Sequence, residues 1–235
     1  MADVTGPTRL LLVNCNTSGT TSERIRSVAA AVAAETTSVD VATPEFGVER
    51  VVGFYDSFIS AAAGLQMMAR WRGQCDGVIM VGFGEHGREG ARQLMDVPVV
   101  DITEAGMMAS CLLGNKVGIL ATSDLMVGPI RDSIAAMGLA SRLLTIHVAS
   151  GADPSDPSSF MVGAQALLAG GADVILLAGA GMLEIQEHLM RNCGVPVVDG
   201  LTTAVKWCES LVQLSLTTSK LQDYRWDPDK AATLV

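Results

Sequence analysis

Asp76-Gly77-Val78-Ile79-Met80-Val81-Gly82-Phe83-Gly84-Glu85-His86-Gly87 is the stretch on which the fold is read. Four consecutive apolar residues bounded by glycine predict a strand buried on both faces. A loop with glycine at every second or third place follows, and residues 88–94 read as a helix. The chain then repeats itself as Ala172-Asp173-Val174-Ile175-Leu176-Leu177-Ala178-Gly179-Ala180-Gly181-Met182. Each copy leads through a helix to a second, nearly identical strand, Val97-Pro98-Val99-Val100-Asp101 and Val195-Pro196-Val197-Val198-Asp199. From Gly82 to Gly179 the chain advances 97 residues, and from Pro98 to Pro196 it advances 98. A duplicated α/β unit follows, with its chemistry expected where the two glycine loops meet.

Working outward, strands are expected over residues 9–13, 39–42, 116–121 and 143–147. Helices are expected over 22–34, 57–71, 104–113, 160–169 and 202–219, with another started by Pro129. Such strand–helix alternation predicts parallel sheets. The fold class is therefore α/β, with two pseudo-symmetric lobes, each built on a central parallel sheet, and a site in the cleft between them. The first lobe is assigned residues 1–101 plus 207–235 and the second 102–206. Residues 44–56 form an irregular connection longer than most and are read as functional. Residues 151–159 read as a loop, and the tail from Leu221 as loosely held.

Sixteen basic against 25 acidic residues give a net charge of −9, without any basic run. That argues against nucleic acid or an anionic membrane surface as partner. The first residues lack the basic start and apolar core of a signal peptide, and no apolar run is long enough to span a bilayer. A cytoplasmic protein is expected. Its five cysteines form no C-x-x-C pair and read as reduced thiols. The three histidines lack metal-ligand spacing, so no metal is expected.

Gly82-Phe83-Gly84-Glu85-His86-Gly87 matches G-x-G-x-x-G, with Asp101 nineteen residues beyond Gly82 at a strand end. This would suit a dinucleotide. Against it, the motif follows the third strand of its lobe, Asp101 recurs as Asp199, and the second copy lacks the third glycine. A symmetric reading fits better. Each lobe offers a glycine loop and a polar strand-end loop to one cleft: Asn14-Cys15-Asn16-Thr17-Ser18 from the first, Thr122-Ser123 from the second. Backbone N–H groups with these hydroxyls and amides would hold the oxygens of a small carbonyl or carboxylate compound as enolate charge develops.

Five stretches together carry a resemblance. They are Asn14-x-Asn16-Thr17-Ser18, Phe83-Gly84, Glu104-Ala105 after Asp101, Ala180-Gly181-Met182 and Pro196-Val197-Val198-Asp199-Gly200. In order and spacing over residues 9–212 the chain resembles the hydantoin racemase branch of the aspartate/glutamate racemase superfamily. The resemblance implies two Rossmann-like lobes, no cofactor, a small-molecule substrate and a homo-oligomer. It also implies two thiols facing each other across the substrate, one immediately before Phe-Gly and one immediately before Ala-Gly-Met. Here those places are Gly82 and Gly179, so both bases are missing. Arylmalonate decarboxylases of the same superfamily keep one such cysteine and decarboxylate their substrates.

Candidates to replace the thiols are Glu85, His86, Cys15 and Tyr55. Glu85 and His86 stand side by side and suit a base–acid pair; the alternatives are a helix-start carboxylate and a surface histidine. Cys15 is expected at the mouth, where a helix N-terminus would favour its thiolate, or else as a buried structural residue. Tyr55 would reach over the site from the long connection. Substrate contacts are assigned to Asn14, Asn16, Thr17, Ser18, Gly82, Phe83, Gly84, Glu104, Thr122, Ser123, Gly179, Ala180 and Gly181. The reading is an enzyme acting beside a carbonyl by proton transfer, isomerisation or decarboxylation. Its rival is a silent binding homologue or a Cys-to-Gly variant of a racemase.

Overall fold

The computed structural model describes residues 6–227. Two four-stranded parallel sheets share one topology. The first has the order β2-β1-β3-β4, from β1 (Thr8–Asn14), β2 (Thr37–Ala42), β3 (Gly77–Val81) and β4 (Val99–Asp101). The second, β6-β5-β7-β8, is made of β5 (Val117–Ala121), β6 (Leu143–Val148), β7 (Val174–Ala178) and β8 (Val197–Asp199). The expected duplication is thus a duplication of topology. Every residue of β3, β5 and β7 is buried, which is why these central strands read as unbroken apolar runs.

The helices are α1 (Gly19–Val32), α2 (Gly53–Ala69), α3 (Arg88–Leu94), α4 (Ile102–Leu113), α5 (Val127–Ala136), α6 (Met161–Ala169), α7 (Leu183–Cys193) and α8 (Gly200–Gln213). The repeated aspartates that end β4 and β8 start the helices that follow. Asp101 accepts from the Thr103 and Glu104 amides, and Asp199 from the Leu201 amide. Helices α4 and α8 lie together between the sheets. Ile102, Ala105 and Met107 of one and Leu201, Ala204, Val205 and Cys208 of the other join Leu10, Leu12 and Ile79 to Ile119, Val174 and Leu176 in a single core. Close approach requires glycine here: a Cβ on Gly106 would stand 2.6 Å from Leu176 Cδ1 and 3.3 Å from Gly200 Cα. Helix α8 runs unbroken across residues 206 and 207, where the sequence divided the lobes.

Several boundaries differ from the expectation. Helix α2 begins at Gly53, inside the presumed connection, because the Asp56 carboxylate accepts from the Val52 amide and closes the first turn. Pro129 is the third residue of α5, not its start; the first amides of a helix have no internal partner, so proline costs nothing there. A 3-10 turn over Pro157–Phe160 occupies part of the expected loop. Helix α8 stops at Gln213, since Ser215 takes a left-handed φ of 56°. The tail up to residue 227 is tied down. Tyr224 donates to Glu89, the Gln93 amide group to the Arg225 carbonyl, and Lys220 Nζ to the Arg92 carbonyl at 2.7 Å. Residues 228–235 of that tail lie outside the described part. No helix of the described residues is long and apolar enough to cross a membrane.

Candidate active site

The ends of β1 and β3 face the ends of β5 and β7 across a hollow of about 290 Å³. That is the low end of ligand-site volumes and suits a small molecule at the carboxyl ends of the strands. Its first wall starts with the loop after β1. Buried Asn14 donates to Asn16 Oδ1 and Ser22 Oγ and accepts from the Asn16 amide, while Asn16 Oδ1 takes the Ser18 amide. Ser18 then caps α1 by accepting from the Thr21 amide. These bonds fold the polar loop on itself and turn Cys15 and Asn16 to the hollow.

The glycine loop after β3 adds Gly82, Phe83 and His86. Thr103, in the first turn of α4, accepts from the Gly84 amide at 2.8 Å, and the Ser133 hydroxyl of α5 donates to the Gly84 carbonyl at 3.1 Å. His86 is 4% exposed, and its ring fills the space a side chain at position 82 would take. A Cβ placed on Gly82 would stand 2.9 Å from His86 Nε2 and 2.8 Å from Cys15 Cβ. The imidazole and the Cys15 methylene therefore flank one point on this wall. His86 Nε2 lies 3.4 Å from the Phe83 carbonyl, and Nδ1 is buried without a hydrogen bond of ordinary geometry. Burial holds the imidazole below the usual histidine range, against the Phe83 carbonyl and the Glu85 carboxylate, which act to raise it. The ring is therefore neutral at neutral pH.

Of the two readings of Cys15, the electrostatics favour the buried thiol over the thiolate. Although the residue touches the hollow, its dense surroundings push the thiol up to about 12, and the Asp101 carboxylate adds to the effect. A protonated thiol stands there, not a thiolate, because the backbone hydrogen bond that favours the anion is outweighed by burial.

The second wall consists of Thr122, Ala178, Gly179, Ala180 and Met182. Met182 does here what His86 does opposite: its Sδ lies 2.5 Å from where a Cβ on Gly179 would stand. The Ala180 and Gly181 amides make no backbone hydrogen bond among the described residues. Thr21, Arg24, Arg50, Val51, Met126 and Pro154 complete the lining.

Other residues singled out in the sequence stand elsewhere. Glu85 accepts from the Gly87 and Arg88 amides at 2.7 and 2.9 Å and pairs with Arg88, so it serves the start of α3. Glu104 is joined to Arg92. Tyr55 is 76% exposed on α2 and does not line the hollow. Thr17 binds through its amide to the Val48 carbonyl at 3.0 Å, and neither its side chain nor Ser18, Gly84 or Ser123 reaches the lining. Gly181 lines an adjoining hollow that shares Arg24, Pro154 and Met182 with the first.

The profile of the Asp/Glu/Hydantoin racemase family matches residues 10–208. The chain belongs to that family. The allantoin racemase of Pseudomonas fluorescens superposes with a TM-score of 0.89 at 37% identity, over 95% of this chain and 99% of that one. That of Klebsiella pneumoniae gives 0.89 at 31%, over 95% of each chain. A hydantoin racemase of Pseudomonas sp. (strain NS671) is 26% identical over 231 residues, covering 94% of this chain and 92% of its own. The chain is accordingly an enzyme of a racemase family with that family's two-lobed α/β fold.

Within this family fold, sequence reasoning missed Thr103, Ser133, Met182, Arg24 and Arg50. One signal was present. Thr21 and Arg24 are three residues apart in a helix capped by Ser18, hence on one face beside the cleft. Arg50 lies in the connection 44–56 whose length marks it as functional, five residues before Tyr55.

Proposed function

We propose that the protein catalyses cofactor-independent proton transfer at the carbon α to a carbonyl of a small molecule, with the base on one wall only. The supporting observation is the asymmetry of the hollow. Its first wall carries the neutral His86 imidazole, in the space left by Gly82, whereas the Gly179 side carries Met182 and no ionisable group. In this reading both family thiols are absent, and His86 takes the part of the first. The imidazole lone pair removes the α-proton, the C–H electron pair moves into the carbonyl to give an enolate, and the imidazolium returns a proton to the same face. The Ala180 amide, on the opposite wall, stabilises the enolate oxygen. The protonated Cys15 thiol beside the ring is a second proton donor on that wall.

Proton NMR in D2O with single enantiomers of 5-substituted hydantoins, allantoin among them, tests the proposal. The α-proton signal is expected to disappear faster than configuration is lost, since deuterium returns to the face from which the proton left. Exchange should reach its plateau by about the ordinary histidine pKa of 6.5, because the base is already neutral below it. His86→Gln is expected to lower the rate at least 100-fold. Inversion as fast as exchange would refute the single wall, and binding without any exchange would leave the silent homologue as the better reading. We further propose assembly as a homo-oligomer, supported by the exposed Phe54, Tyr55 and Phe58 on α2; light scattering showing a monomer would refute it.

A further inference from the structure

We infer that the substrate of this hollow is an anion, held through a carboxylate on the arm attached to its α-carbon by Arg24 and Arg50. The inference rests on the proton-transfer reading for the identity of the site and extends it to the substrate class. The whole chain carries −9, yet among the described residues no Asp or Glu lines the hollow, Glu184 bordering the adjoining one; with His86 neutral and Cys15 protonated, the charged residues of its described lining are these two arginines. The local charge thus has the opposite sign to the global one, which draws in an anion that the rest of the surface repels.

Among the described residues, Arg24 and Arg50 take part in no ion pair, whereas Arg70, Arg72, Arg88 and Arg92 all do. Both are nonetheless placed. Arg24 extends from α1 over the opposite loop, where Gly181, in a left-handed conformation with φ 70°, leaves room for it. A Cβ on Gly181 would lie 3.1 Å from Arg24 Cγ. Arg50 stands on a strap pinned at both ends, by the Thr17 amide to the Val48 carbonyl at 3.0 Å and by the Val52 amide to Asp56 at 2.9 Å. Two guanidiniums from different elements, both bordering one hollow without an anion of their own, form a receptor for carboxylate oxygens.

The test uses two ligands of equal shape, hydantoin-5-acetate and its neutral amide, with titration calorimetry on the full chain. The carboxylate is expected to bind at least tenfold tighter than the amide, and less tightly as salt is raised. Arg24→Gln and Arg50→Gln should each weaken carboxylate binding about tenfold and leave amide binding unchanged, with unaltered melting temperatures confirming that both variants fold. Equal affinity for the two ligands, no binding of the carboxylate, or a loss in the variants that is the same for both ligands would overturn the inference. NMR exchange on the same pair separates the two readings. Charge-selective binding without exchange sinks the proton transfer and leaves the anion site standing; exchange without charge preference does the reverse.

Discussion

Gly82→Ala adds a single carbon at the point where the two flanking side chains meet, and its cost can be worked out from the geometry. The new Cβ would lie 2.8 Å from Cys15 Cβ and 2.9 Å from His86 Nε2, with His86 Cδ2 closer still. The backbone at Gly82 is not left-handed, so the cost is overpacking alone. Overpacking of a tight core costs about 1–3 kcal/mol. The reduced freedom of the unfolded chain offsets about 0.4–1 kcal/mol. A net loss of roughly 1–2 kcal/mol remains, which for a chain of this size lowers Tm by about 2–8 °C. Denaturant unfolding of Gly82→Ala, His86→Ala and the double variant then isolates the contact with the ring. Removing the ring makes room for the methyl group, so the double variant should be more stable than the sum of the single effects by about 1 kcal/mol or more. Gly19→Ala, where nothing lies within 4 Å of the added Cβ, should be close to neutral. Additivity within about 0.5 kcal/mol, or a Gly82→Ala variant as stable as the wild type, would refute the claim that His86 fills the place of a side chain at 82.

Three further changes test the frame around the site. Asp101 is pushed up to about 7 by burial, against Arg88 and the Glu104 amide, which lower it. Its folded pKa exceeds the unfolded value of about 3.9, so the folded state binds the proton first and the buried charge is a burden above pH 7. The stability difference between wild type and Asp101→Asn should therefore move in favour of the wild type as pH falls from 8 to 4, by up to roughly 1.4 kcal/mol per pH unit. A difference that stays constant across denaturation curves in that range would contradict this. Thr103→Val removes the hydroxyl that receives the Gly84 amide and leaves a buried N–H unpaired. A loss of about 1–3 kcal/mol is expected, with faster amide hydrogen exchange at Gly84; unchanged exchange there would count against Thr103 as the brace of the loop. Gly200→Ala drives a Cβ into the Ile102 carbonyl, a backbone atom that cannot turn aside. It should destabilise more than Gly82→Ala in the same unfolding experiment, and a neutral result would refute the close seating of α8 against the start of α4.

The sequence alone determined whatever depends on local pattern and on repetition. Unbroken apolar runs such as Val78–Val81 mark central strands because both of their faces are covered, and the recurrence of Val-Val-Asp before a helix marks paired lobes because each aspartate caps the helix it precedes. The family was legible too, since its short motifs sit at strand ends where backbone geometry prescribes residue type. What the sequence could not determine was where long side chains go once the lobes have closed. Glu85 and His86 are neighbours in the chain, yet one turns back to the first amides of α3 while the other enters the space beside Gly82. Only contacts between elements distant in sequence decide that: α2 brings the Ser57 backbone to the His86 ring and the Ser60 hydroxyl to the Cys15 carbonyl, and the loop after β1 sets Cys15 beside the ring. Arg24 and Arg50, 26 residues apart on a helix and a strap, meet one hollow for the same reason. Charge and packing in a cleft between lobes are sums over elements distant in sequence, and no local pattern carries such a sum.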